Sequence, residues 1–172
     1  LRYRSGGEQK SRASRVSAAA LNQKAIDSLH SIDAMSKIFV LGDLNDDPTN
    51  DSVLVTLNAQ KDREDVRPQM IYNPYIQMLK DGYNTLAYRD AGNIFDQIMF
   101  TYPLLNEANQ EGYRYYQANI YNPSFMTSKT GRYKGYPLRS FADGGFTGGF
   151  SDHFPVYVYL VKEITTTEDL NT

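Results

Sequence analysis

The apolar and polar positions of this chain change period several times, and each change marks an element. Residues 1–10 (LRYRSGGEQK) lack periodicity and carry Gly6-Gly7, which reads as loop. Residues 11–32 read as helix. Val16, Ala19, Ala20, Ile26 and Leu29 include contacts at helical spacing, and the alanine content favours that state. Residues 37–41 (KIFVL) form a short apolar run ending at Gly42, the pattern of a buried strand. A helix feeding directly into such a strand is a layered α/β pattern.

Downstream, Asn50 and Asp51 are N-cap candidates for a short helix reaching Leu57, and the charged stretch 59–69 reads as surface loop. A second helix is predicted over 73–80, closed by Asp81-Gly82, with strands at 85–88, 94–101 and 113–120. Residues 121–149 form a loop too long to be a passive connection. Val156–Val161 (VYVYLV) has the β-branched and aromatic content of a last strand, and 163–172 is a polar, acidic tail expected to fray. There is no internal repeat.

With 172 residues the chain can form one domain with a real core, and its 41% hydrophobic and 22% charged fractions are ordinary for a globular protein. A net charge of -2 provides no global field toward nucleic acid or anionic membrane, but leaves room for a local basic site. The absence of cysteine excludes disulfides, thiolate zinc sites and a cysteine nucleophile without fixing the compartment. No apolar stretch approaches the roughly 18–20 residues of a membrane span. The 14 Tyr and 8 Phe, with no Trp, suit surfaces that combine apolar contact with hydrogen bonding.

Candidate chemistry gathers at strand ends. Asp43 and Asn45 follow the first strand, and residues two apart share a face of an extended segment. They suit orienting a water and contacting a phosphate oxygen or metal; a plain turn is the alternative. The sequence disfavours a calcium loop beginning at Asp43, because its sixth and twelfth positions hold Pro48 and Leu54 instead of Gly and Glu. Asp96, between Phe95 and Ile98-Met99-Phe100, requires a partner if buried. It either faces water on an edge strand or holds a histidine. Of the two histidines, His30 reads as solvated or as a partner of its helix dipole. Asp152 and His153 are adjacent and so diverge, Asp152 toward a metal or water and His153 toward a phosphate; a capping Asp beside a surface His is the bland alternative. In the long loop, Lys129, Arg132, Lys134 and Arg139 are interleaved with Tyr133, Tyr136 and Phe141, a set able to grip phosphate and stack a ring, or simply to keep a loop solvated. Gly144-Gly145 and Gly148-Gly149 add flexibility but form no P-loop, since no Gly-Lys-Ser/Thr follows.

Taken together, GDLND (42–46), FDQIM (95–99) and SDHFPVYV (151–158), with SGGEQKSR ahead of the first helix and KGYPLRSF before SDH, resemble the endonuclease/exonuclease/phosphatase family. That family includes pancreatic-type deoxyribonucleases, abasic-site nucleases and bacterial sphingomyelinases. The resemblance implies an α/β chain supplying one sheet with flanking helices, half of a four-layer α/β/β/α sandwich. Residues 1–162 would be the C-terminal half of such a domain and 163–172 a tail.

The parent would be a metal-dependent phosphoester hydrolase using Mg²⁺ or Mn²⁺. Asp43 would orient or deprotonate the attacking water, and Asn45 would bind a phosphate oxygen. Asp96 would hydrogen-bond His153, which would stabilise the charge growing on phosphorus, and Asp152 would bind the metal. Substrate contacts would come from Lys129, Arg132, Tyr133, Lys134, Tyr136 and Arg139. The alternatives are a lipid or sugar phosphate hydrolase and a non-catalytic binding module on the same scaffold.

Three departures matter. The family's N-terminal Asn and metal-binding Glu belong to a first half absent from a chain starting at Leu1, a second histidine would fall upstream, and Gln97 stands where His or Arg is usual. The chain alone is therefore expected to be catalytically incomplete, with its sheet face meeting the missing N-terminal half or another copy. The substrate would be a phosphate ester, nucleic acid among the candidates. A leader lost upstream leaves a secreted or periplasmic location open.

Overall fold

The computed structural model describes residues 4, 6–106, 112–142 and 144–162; the expected tail at 163–172 lies outside the described residues. Helix α1 (Glu8–Ile32) begins inside the stretch read as loop, directly after Gly7 at φ 108. Its buried stripe is Ser11, Arg15, Ala19, Ile26 and His30, and Leu29 is largely exposed. His30 is buried rather than solvated, with Nε2 3.3 Å from the Ser36 carbonyl oxygen.

Strand β1 (Phe39–Asp43) follows. The short helix expected next is one π-helical turn, Ser52–Thr56, without a side-chain cap; Asn50 Oδ1 instead accepts the Asp47 amide at 2.7 Å. The stretch read as surface loop holds β2 (Ala59–Gln60) and the buried Val66, and β3 (Ile71–Tyr72) comes just after it. Helix α2 (Tyr75–Lys80) leads to β4 (Leu86–Tyr88) and β5 (Ala91–Asn93), a hairpin whose second arm the sequence reading missed. Then come β6 (Asp96–Thr101), β7 (Arg114–Ile120), the short pair β8 (Phe141–Ala142) and β9 (Gly145–Phe146), and β10 (Val156–Val161).

The main sheet has the order β1-β6-β3-β2, antiparallel except for β2 and β3; β7 and β10 pair antiparallel beside it. Alternation along β6 builds two cores. Met99 joins Ala19, Ile26 and Val40 under α1. On the other face Phe100 stacks with Tyr72 and Tyr115, and Ile98, Val156 and Val158 are only half-buried beside them. In register, Leu41 opposes Ile98 and Asp43 opposes Asp96, so this second face carries the two carboxylates at one end. Among the described residues, no helix is long and apolar enough to cross a membrane.

Candidate active site

The carboxyl end of β1 and the start of β6 set the first two groups. Asp43 and Asp96 are register partners on antiparallel strands, and directly opposite side chains have Cβ atoms about 4.5–5.5 Å apart. Like charges so placed repel unless a cation stands between them. Thr85 supplies the link that brings an imidazole to Asp96. Its Oγ1 accepts the amides of Phe95 (3.2 Å) and Asp96 (3.4 Å), and its carbonyl accepts the Phe154 amide (2.7 Å). The 151–155 segment is thereby stitched to the base of β6. His153 Nδ1 then lies 2.7 Å from Asp96 Oδ2, with both side chains about three-quarters buried. Because Nδ1 faces the carboxylate, Nε2 is the nitrogen left to meet a ligand.

The His153 pKa is raised above the usual imidazole value. The hydrogen bond to Asp96 is the chief cause, burial opposes it, and the charges of Asp96, Asp43 and Asp152 add to it. A raised folded-state pKa means that protonation of His153 stabilises the fold fully below the unfolded value of about 6.5, and that this contribution is lost as pH rises through the folded pKa. An NMR titration of the imidazole is expected to give a midpoint above 6.5, falling on Asp96→Asn; an unchanged midpoint in that variant would show that Asp96 does not hold the proton.

Asn45 adopts φ 50, a left-handed turn in which its amide donates to Asp43 Oδ1 at 2.8 Å. The turn reading and the site reading thus describe the same residues: the bond orients Asp43. The Asn45 side chain is buried and makes no hydrogen bond to the described residues. Its loop is fixed from beneath by groups that sequence reasoning missed. Asp46 is buried, with Arg15 Nε 2.7 Å and Arg4 Nη2 3.0 Å from Oδ1, and it accepts from Ser52 Oγ at 2.6 Å. Arg4 also donates to the Asn45 carbonyl at 2.6 Å and lies over the Phe95 ring. Asp47 accepts from the Ile94 amide (2.8 Å) and from Asn93 Nδ2 (2.7 Å). Gln97 is fully buried and ties β6 to this loop, its Nε2 donating to the Asp46 carbonyl at 2.8 Å while its Oε1 accepts from Asn73 at 2.7 Å. Here the glutamine is a structural brace.

Asp152 is mostly exposed, and Arg139 Nη2 stands 3.4 Å from its Oδ2. Its charge reaches His153. Among the described residues, no group of three or more His, Asp or Glu side chains could hold a metal ion. Asp152 by itself does not make a metal centre.

The long loop folds over the β4–β5 hairpin to form a groove of about 490 Å³. Arg132, Tyr133, Tyr136 and Arg139 line it; Lys129 and Lys134 are exposed and do not. Gly149 serves close approach: an added Cβ would clash with the carbonyls of Leu138 and Arg139, both on the groove wall.

The molecule is a mixed α/β scaffold with a carboxylate–histidine pair at its strand ends. The chain belongs to the Endonuclease/Exonuclease/phosphatase family, whose model matches residues 2–162. Members of that family generally hydrolyse phosphoesters and commonly use divalent metals. No curated protein and no solved structure matches the chain.

Proposed function

We propose that this chain supplies one wall of a metal-dependent phosphodiesterase site. The single observation that carries the reading is the 2.7 Å His153–Asp96 pair set across the strand register from Asp43. Asp43, oriented by its own turn, takes a proton from the attacking water. The Asn45 side-chain amide donates to a phosphate oxygen. His153, whose protonated form is favoured by the hydrogen bond to Asp96 and by the charges of Asp96, Asp43 and Asp152, presents Nε2–H to the oxygen on which charge grows, and Asp96 orients the ring through Nδ1–H. A bound Mg²⁺ or Mn²⁺ would neutralise phosphate charge and assist the leaving oxygen, with Asp152 as one carboxylate ligand. Such ions keep several waters and need only one or two carboxylates besides the substrate, which suits the exposed Asp152.

The opposing wall, with the remaining metal ligands, would come from an N-terminal half or a second copy seated on the β1–β6 face. There Leu41 is 65% exposed beside half-buried Phe39 and Ile98. On this reading residues 1–162 are one half of a two-sheet sandwich. The isolated chain is expected to turn over a generic phosphodiester with Mg²⁺ or Mn²⁺ at no more than background rate. Robust turnover by the chain alone, abolished by Asp43→Ala, would refute the incompleteness and leave the chemistry standing. If the polypeptide that carries both walls fails to cleave any phosphodiester, the hydrolase reading falls.

A further inference from the structure

The groove against the β4–β5 hairpin has three properties that a solvated loop does not need. It is walled by rings, Tyr88, Tyr133 and Tyr136, with Tyr133 and Tyr136 edge to face at 5.6 Å. It gathers three guanidinium groups, Arg89, Arg132 and Arg139, against one lining carboxylate, Asp90, in a protein whose net charge is -2. And the hairpin turn that carries Arg89 is strained: Arg89 (φ 51) and Asp90 (φ 64) both occupy the left-handed region, where a turn of this kind normally places Asn or Gly.

That turn is held from across the groove. The Tyr136 hydroxyl accepts the Asp90 amide at 2.7 Å and donates to Asp90 Oδ1 at 2.8 Å, so one side chain pins the hairpin tip in its unfavourable conformation. The clamp fixes the spacing between the two walls before any ligand arrives, and pre-set spacing lowers the ordering cost of binding. Arg139 extends from the groove to Asp152, and Thr85, which is bonded to the Asp96 and Phe154 amides, immediately precedes β4. Arg139 on the groove wall is thereby joined to the residue that precedes His153 in the chain.

We infer that this groove binds a flat heteroaromatic ring attached to the phosphate, so that the substrate is a small, mononucleotide-like ester and not the interior of a duplex. The volume is that of a small-molecule pocket. Tyrosine faces and arginine planes stack any flat ring, and the excess positive charge draws its phosphate. A base inside a duplex is already stacked on both faces and cannot enter without being unstacked. The assignment of this ring site to a substrate rests on the hydrolase reading above; the binding itself does not.

The test measures binding of two probes to the chain by calorimetry and NMR. Adenosine 5′-monophosphate is expected to bind roughly tenfold more tightly than ribose 5-phosphate, which carries a hydroxyl in place of the adenine. Tyr133→Ala should abolish that preference and Tyr133→Phe should retain it; Tyr133 is 44% exposed, so both variants are expected to fold. Shifts should map to Tyr88, Arg89 and Tyr133, and short duplex DNA should not displace the nucleotide. Equal affinity for the two probes, a preference that survives Tyr133→Ala, or displacement by duplex would overturn the inference. Ring preference in a protein that cleaves no phosphodiester would uphold the groove and sink the hydrolase reading. Hydrolysis without ring preference would do the reverse.

Discussion

Asp46→Ala is expected to cost roughly 3–5 kcal/mol of folding stability. Arg15 and Asp46 are 1% and 2% exposed, and Arg4 closes the cluster from the α1 side. Their desolvation was offset by mutual attraction and by the hydrogen bonds around them; removing the carboxylate leaves the Arg15 guanidinium buried beside a void. Against a typical total of about 5–15 kcal/mol, that loss brings the fold close to its threshold. Arg15→Met should cost less, because Asp46 keeps Arg4 and the Ser52 hydroxyl. Arg15→Met with Asp46→Leu should recover much of the loss, since an apolar pair of similar size can replace a buried ion pair. Urea denaturation of the four proteins measures all three differences. A loss below about 1 kcal/mol for Asp46→Ala would mean that water reaches the pair and that the 43–47 loop is held in another way.

That cluster also shows where the sequence was opaque. The long helix, β1, β6 and β10 were legible because each carries an apolar run of the right period. The inward stripe of α1 was not, because Ser11 and Arg15 continue it with polar residues and Leu29 points outward. A buried arginine looks like surface until its acid, 31 residues away in the chain, is brought beneath it. β2 and β3 are two residues each, too short to establish a period, and they exist because β6 and the buried Val66 supply their context. Asp43, Asp96 and His153 stood out as polar groups at the ends of apolar runs. Thr85, Gln97 and Asp47 act through hydrogen bonds between distant segments, and no local pattern marks such a bond. The basic and aromatic loop residues were visible as a set, but only folding over the hairpin separates Arg132, Tyr133, Tyr136 and Arg139, which line the groove, from Lys129 and Lys134.

In the polypeptide that carries both walls, His153→Ala is expected to lower phosphodiester hydrolysis by roughly 10²- to 10³-fold, the usual effect of deleting one donor aimed at a charge that develops in the transition state. Rate loss alone would not separate chemistry from a damaged fold. The pH profile does. If cationic His153 is the donor, activity persists while the imidazole is protonated and falls as pH rises through its raised pKa. Asp96→Asn removes the main cause of that shift, so the descending limb should move to lower pH while the chain stays folded. The same substitution places an amide against Nδ1, where it can donate as well as accept, and so loosens the ring orientation that presents Nε2. A merely structural Asp96 would reduce the amount of folded enzyme without moving the limb. A limb unmoved by Asp96→Asn, with full activity retained, would remove the pair from the mechanism and leave Asp43 to be explained without a cationic neighbour.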